Sequence, residues 1–223
     1  MALWRMVNNF KMEKPNHITT LIAQGEHARL DFKFAITDAA KIAKSLSAFS
    51  NTHGGTLLIG VKDNGVIAGV RSDEEFYMVD SAARRYCRPQ VDFTYENWTV
   101  EGKTVLEVII PETPTKPVEC KGEDGRFWSY VRIEDQNILA HPVQILTWEK
   151  LQRQKGALIC YTEKEAHLMQ ALKGFNFLTM SQIKRKTRLK HFELLHLLSD
   201  LAAMNVIGIS QTEEQCRFYL REL

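Results

Sequence analysis

Along the first 150 residues the apolar positions switch between two periods. Ile18 to Gln24 reads as a short helix stopped by Gly25. Leu30, Phe32 and Phe34 alternate with Asp31 and Lys33 at strand period, which predicts the apolar three facing inward and the two charges sharing the other face. Ala39, Ile42, Ala43, Leu46 and Phe49 recur at helical spacing, behind Thr37 as N-cap, so one apolar face is expected. That helix runs to about Asn51 and ends at Gly54-Gly55. The run TLLIGV is continuous, as in a strand buried on both faces. Lys62-Asp63-Asn64-Gly65 then predicts a hairpin turn, with Val66 to Val70 as the returning strand. A helix over Ser72–Cys87 ends before Pro89, and strands follow at Val91–Trp98 and Val105–Ile110, joined by a turn at Glu101-Gly102-Lys103. Three prolines make Pro111–Pro117 an extended loop. Phe127–Ile133 is a strand leading into Asn137–Ala140, and Pro142–Gln154 is a helix. Strands interleaved with helices argue for an α/β or α+β sheet domain, and the α+β class with a mixed sheet is the expectation.

From Tyr161 the pattern changes. Helices are predicted at Glu163–Leu172, capped by Thr162, at Ser181–Lys186 and at Lys190–Met204, followed by short strands at Val206–Ser210 and Gln215–Leu220. Three helices and a hairpin, in the run FLTMSQIKRKTRLKHFELLHLLSDLAAMNVIGIS, resemble a small winged-helix domain, with Leu198, Leu201, Val206 and Ile207 at its core positions. The expected organisation is an N-terminal arm (1–17), a sheet domain (18–155) and this second domain (156–223). Lys184, Arg185, Lys186, Arg188, Lys190 and His191 concentrate positive charge where phosphates would be met. On the third helix Leu194, Leu195, Leu197, Leu198, Leu201 and Met204 cover nearly half the circumference. The opposite face carries Glu193, His196, Ser199 and Asp200, acids that oppose a DNA field. DNA binding and a protein-contact role both stay open for this segment.

Composition adds limits. The 223 residues are 44% hydrophobic and 25% charged, an ordinary globular balance able to bury a core. A formal net charge of +2 gives no bulk pull toward nucleic acid, so any basic surface is local. Cys87, Cys120, Cys160 and Cys216 form no CxxC pair and no metal spacing with histidine, and read as reduced thiols in a cytoplasmic protein. No run of 18 apolar residues exists to span a membrane. Asn8 and Asn9 interrupt the opening apolar stretch, which therefore does not read as a signal peptide. Leu3, Trp4, Met6, Val7 and Phe10 form an amphipathic stripe expected to pack on the domain or on a second subunit; with the leucine-rich third helix it suggests a dimer.

The runs GEHARLDFK and AFSNTHGGTLLIGVKDNGVIAGV, with KTVLEVIIPETPTKPV and WSYVRIEDQNILA behind them, resemble the Schlafen AlbA domain family over roughly residues 15 to 145. Where the family usually has Gly-Ser-Ser-Thr after an Arg, this chain has Ile133-Glu134-Asp135-Gln136-Asn137. Nuclease-active members hold a divalent metal on three acids. The resemblance places Glu26, Asp31 and Asp63 there, as catalytic and metal-binding candidates for Mg²⁺ or Mn²⁺. The family residue at position 31 is usually Glu. Glu26 and Asp31, an odd number apart, would face opposite ways in a continuous strand and converge only if the backbone breaks between Gly25 and Ala28. The bland alternatives are a solvent-facing Asp31 paired with Lys33 or Arg29, and Asp63 as a turn former. Lys33 and the cluster Arg84, Arg85 and Arg88 are further candidates for nucleic-acid contact; the arginines could equally serve a helix C-terminus or pair with acids.

Asp63-Asn64-Gly65 with Gly69 is faintly similar to a DxGxG nucleotide box, but a hairpin turn accounts for it, and no Walker loop and no GxSxG occur. Histidines 17, 27, 53, 141, 167, 191 and 196 form no ligand pattern. Three functions follow: a nucleic-acid-binding protein, foremost a DNA-binding transcriptional regulator; a metal-dependent endonuclease; or a protein-interaction module.

Overall fold

A computed structural model describes residues 17–70, 72–153 and 162–221. The expected N-terminal arm apart from His17, the end of the helix expected to reach Gln154, and Cys160 lie outside these residues.

The first sheet has the order β1-β2-β5-β4, built from Leu30–Lys33 (β1), Gly55–Ile59 (β2), Thr94–Val100 (β4) and Lys103–Ile110 (β5). β1 and β2 are parallel and connected through α2 (Ala39–Asn51), while β5 runs antiparallel to both β2 and β4. A short α1 (His17–Ile22) precedes it. After α3 (Glu74–Ser81) and a wider helical turn at Ala82–Tyr86 comes an antiparallel second sheet of Cys87–Arg88 (β3), Glu119–Lys121 (β6), Phe127–Ile133 (β7) and Gln136–Leu139 (β8), in the order β3-β6-β7-β8. Mixed and antiparallel sheets with helices between and beside them make an α+β protein.

α2 lies between the two sheets. Its expected apolar face, Ile42, Ala43, Leu46 and Phe49, packs in one core with Leu57, Ile59 and Val108. Burying each large apolar side chain contributes about 1.5–3 kcal/mol. The expectation of a single buried face needs correction: Ser45, Ser47, Ser50 and Asn51 are buried too. The side chains of Ser47 and Asn51 meet backbone at and beside the second sheet, while Ser45 meets the side chains of Asp31 and Asn137. Just before β6 begins opposite Ser129, Ser47 Oγ accepts from Tyr130 N–H (3.1 Å) and donates to Val118 C=O (2.8 Å). Asn51 Nδ2 donates to Val118 C=O (2.8 Å) and Tyr130 C=O (3.0 Å), and its Oδ1 accepts from Val118 N–H (2.7 Å). Side chains of a helix thus continue a ladder that a strand leaves unfinished. Helical periodicity hides this, because serine and asparagine score as solvent-facing.

Four further expectations change. The N-cap of α2 is Asp38, whose Oδ1 accepts from Ala40 N–H at 2.8 Å, not Thr37. Phe34 lies just past β1 and is 49% exposed. Val66 to Val70 is not a strand: the turn keeps Lys62 N–H bonded to Val66 C=O, but pairing shrinks to one bridge, Val61 with Ile67. The reason is Gly60, at φ +94°, where a Cβ would meet the Gly69 carbonyl carbon at 2.9 Å: Ala68 and Gly69 N–H both bond the Gly60 carbonyl, and Val70 N–H goes on to Thr104 C=O of β5 instead of continuing a ladder with β2. β6 is a strand that sequence patterning leaves unmarked behind the prolines. The Gly54-Gly55 helix stop is as expected, with Gly54 at φ +66° and backbone of Ile110 and Glu112 where its Cβ would be.

The remaining elements are α4 (Pro142–Leu151), α5 (Glu163–Leu172), β9 (Leu178–Thr179), α6 (Met180–Thr187), α7 (His191–Ala203), β10 (Ile207–Gln211) and β11 (Cys216–Leu220). The strands form a small antiparallel sheet in the order β10-β11-β9. Leu168, Leu172, Ile183, Leu194, Leu198 and Phe218 share one core, which Val143 of α4 joins. Thr162 caps α5, as expected, and Glu165 completes a capping box with it.

Candidate functional site

The acidic residues of the β1 region come together by a local device. His27 and Leu30 exchange both backbone hydrogen bonds (3.0 and 3.1 Å), so the chain doubles back at Ala28-Arg29. This is the backbone break that the odd spacing demands. It lays Glu26 beside β1, where its Oε1 accepts from Phe32 N–H at 2.8 Å. Burial pushes the Glu26 carboxyl above the usual carboxylate range; the Phe32 bond opposes the rise and the adjacent Asp31 carboxyl adds to it.

Asp31 is 3% exposed, not solvent-facing. Its Oδ1 meets Arg132 Nη2 at 3.1 Å and its Oδ2 meets Lys33 Nζ at 2.8 Å, while Ser45 Oγ approaches Oδ2 at 3.5 Å. Arg132, on β7, is equally buried and joins the two sheets: Nη2 also reaches the carbonyls of His27 (3.5 Å) and Leu30 (3.4 Å), and Nη1 donates to Asn137 Oδ1 (3.1 Å). Asn137 Nδ2 closes the circuit on Ser45 Oγ at 2.9 Å. The guanidinium lies 5.1 Å from the Phe49 ring centroid. Arg132, Asn137 and Ser45 were not among the sequence candidates. The usable signal was an arginine in a strand between two apolar neighbours, Val131 and Ile133.

Asp63 does not join this group. It is exposed in the turn after β2, and the carboxylate oxygens of Glu26, Asp31 and Asp63 do not lie within 4.8 Å of one another. A divalent ion needs free carboxylate oxygens in a cation-poor pocket. Here both oxygens of Asp31 are taken by a guanidinium and an ammonium. The arrangement does not fit a metal cradle; it is a buried ion-pair network joining β1, α2 and the β7–β8 hairpin.

The basic candidates divide into two sets. Lys33 is committed to Asp31, Arg84 Nε to Asp80 at 2.7 Å, and Arg88 Nη2 to Glu119 at 2.8 Å, leaving Arg85 exposed beside them. By contrast Lys184, Arg185, Lys186, Arg188 and Lys190 are all exposed at the end of α6 and in the turn to α7, and none has a carboxylate within 4.0 Å among the described residues. Arg188 turns the chain in the left-handed region, φ +57°. Lys186 Nζ lies 4.0 Å from the Phe175 ring centroid. Next to this patch Phe192, in the first turn of α7, is 72% exposed.

The family model described as Schlafen, AlbA_2 matches residues 26–141, more than half of the chain. The chain belongs to the Schlafen AlbA_2 family. The matched stretch holds both large sheets, α2 and the whole Asp31–Arg132 network, and stops where α4 begins; the basic patch on α6 lies outside it. No curated protein matches the chain. Similar solved structures include the DIP2311 protein of Corynebacterium diphtheriae, at 18% identity and TM-score 0.41 over 63% of this chain and 28% of that one. Another is the N-terminal domain of a protein of Nitrosomonas europaea described as related to the ATP-dependent DNA helicase RecG, at 20% identity and TM-score 0.41, covering 67% of this chain and 99% of that one. This chain thus spans little more than a quarter of the length of the Corynebacterium protein.

The outer face expected for α7 is corrected by the fold. Ser199 is fully buried, and Lys150 of α4 bonds Ser199 Oγ (2.7 Å), Asp200 Oδ1 (2.7 Å) and the His196 carbonyl (3.0 Å). That face docks on α4 and is closed to a groove. Only the N-terminal turn of α7 stays open, beside the α6 charges.

Proposed function

We propose that this Schlafen AlbA_2 family protein binds nucleic acid through the end of α6 and the first turn of α7, and acts as a DNA-binding regulator of transcription. The observation that carries the reading is the five exposed basic side chains, Lys184, Arg185, Lys186, Arg188 and Lys190, without a carboxylate partner among the described residues, in a chain of almost no net charge. An isolated patch of this kind meets a row of phosphates and releases their counterions. The order α5, α6, α7, β10, β11 supports reading residues 156–223 as a winged-helix domain, in which the helix after the basic turn faces the duplex. With the acidic side of α7 docked on α4, the repulsion expected from Glu193 and Asp200 is reduced: Asp200 is neutralised by Lys150, and Glu193 by Lys164 at 2.7 Å. In this reading the AlbA_2 domain is a rigid platform, and Asp31 and Arg132 are structural.

The test is fluorescence anisotropy on duplex DNA and on structured RNA, with EDTA or with Mn²⁺, followed by gels for cleavage. Binding to duplex DNA in EDTA without strand scission is expected. Cleavage that needs Mn²⁺ and is lost on Glu26→Gln, which keeps the acceptor for Phe32 N–H, would replace the regulator with a nuclease. No binding to either nucleic acid would leave a protein-contact module.

A further inference from the structure

Away from the basic patch, a cavity of about 380 Å³ opens between the β7–β8 hairpin, the start of α4 and the β10–β11 turn. Its volume suits a small organic molecule. The inner wall is apolar, from Ile138, Ala140, Pro142 and Ile145. Ser129 also lines it; this residue is 3% exposed and its Oγ has no hydrogen-bond partner among the described residues. A buried hydroxyl left unpartnered costs free energy that a ligand bond would recover. Across the cavity, Gln211 is already spent on Leu139 C=O (2.7 Å) and His141 N–H (3.2 Å), bonds that tie the β10–β11 hairpin to the sheet domain.

The charge at the rim is one-sided. Glu213 and Glu214 line the cavity, and the carboxylate of Glu213 lies within 4.8 Å of those of Glu134 and Asp135. None of the four has a Lys, Arg or His partner within 4.0 Å among the described residues. An apolar pocket with an unanswered hydroxyl inside and clustered carboxylates outside is complementary to a molecule with an apolar body and a positive end.

We propose that this cleft binds a small organic cation, its ammonium group among Glu134, Asp135 and Glu213 and its apolar body against Ile138 and Ile145, with a polar atom reaching Ser129 Oγ. Such a ligand touches both hairpins and stiffens their junction.

The probe is 2-phenylethylammonium, titrated into the full chain by calorimetry and ligand-observed NMR, with phenylacetate as the isosteric anion and calcium chloride as the inorganic cation. Saturable one-to-one binding of the amine is expected, with none of phenylacetate. Asp135→Asn combined with Glu213→Gln removes exposed charges only and should weaken the amine about ten-fold, the loss of one to two ion pairs. Ser129→Ala, a deletion of one atom, should weaken it about three-fold if the lost bond is a neutral one. The idea is overturned if the amine does not saturate, if phenylacetate binds equally, if both variants bind the amine like the wild type, or if calcium binds at the carboxylates while the amine does not.

Discussion

Asp31 and Arg132 form a pair 3% exposed on each side, and its energetics are those of a buried charge, not of a surface bridge. Asp31→Ala leaves the guanidinium buried with only carbonyl and amide partners, and should cost about 3–5 kcal/mol in urea unfolding. Asp31→Val with Arg132→Met removes both charges and should cost clearly less than the sum of the single changes, a coupling of about 1 kcal/mol or more. Glu26 carries a separate prediction. Its carboxyl pKa is raised on folding, chiefly by burial, so the folded state holds the proton more firmly than the unfolded chain. Stability therefore falls as pH rises from the ordinary value of 4.5 through the raised one. Glu26→Gln keeps the acceptor for Phe32 N–H and should flatten that decline while leaving stability at pH 4 nearly unchanged, as read from unfolding midpoints across pH. Of this group the sequence marked Glu26, Asp31 and Lys33 as candidates, through their resemblance to the family. Asn137 and Ser45 carry no local signal, and Arg132 carries only that of an arginine in a strand; they meet through the packing of two sheets on α2, Arg132 being 101 positions from Asp31, Asn137 92 from Ser45 and Ser45 14 from Asp31.

α2 decides how the two large sheets meet, and it does so with polar side chains as much as with apolar ones. Asn51 serves three backbone groups at once, so Asn51→Ala strands buried N–H and C=O groups on Val118 and Tyr130 and should destabilise by about 3 kcal/mol. Hydrogen exchange should show faster amides at Val118 and Tyr130, with little change in β10 and β11. The element pattern was legible wherever a local rule governs: strands β5 and β7, the Gly54 stop and the Thr162 cap fall where period and caps place them. It failed where a distant contact overrides the local signal. Asp63-Asn64-Gly65 does form a turn, yet the close approach of Gly60 and Gly69 prevents the hairpin that usually follows. The buried polar face of α2 was invisible for the same reason, since its partners are backbone atoms of a sheet formed seventy to eighty residues later.

At the scale of the molecule, α4 links the AlbA_2 portion to the C-terminal helices: Val143 enters the C-terminal core, and Lys150 holds the polar side of α7. Lys150→Met should loosen that contact and expose Asp200 without touching the α6 charges, lowering the thermal midpoint by a few degrees for a loss of about 1 kcal/mol. The central claim concerns the charges that this docking leaves free. The most direct measurement is the salt dependence of duplex DNA affinity for wild type and for Lys184→Ala/Arg185→Ala/Lys190→Ala, in EDTA between low and physiological salt. Each phosphate contact contributes about 0.9 to the slope of log affinity against log salt. A wild-type slope that becomes shallower by about 2–3 in the triple variant, with weaker binding at every salt concentration, is the predicted result. An unchanged slope, or no measurable wild-type affinity, would contradict the assignment of this surface to nucleic acid.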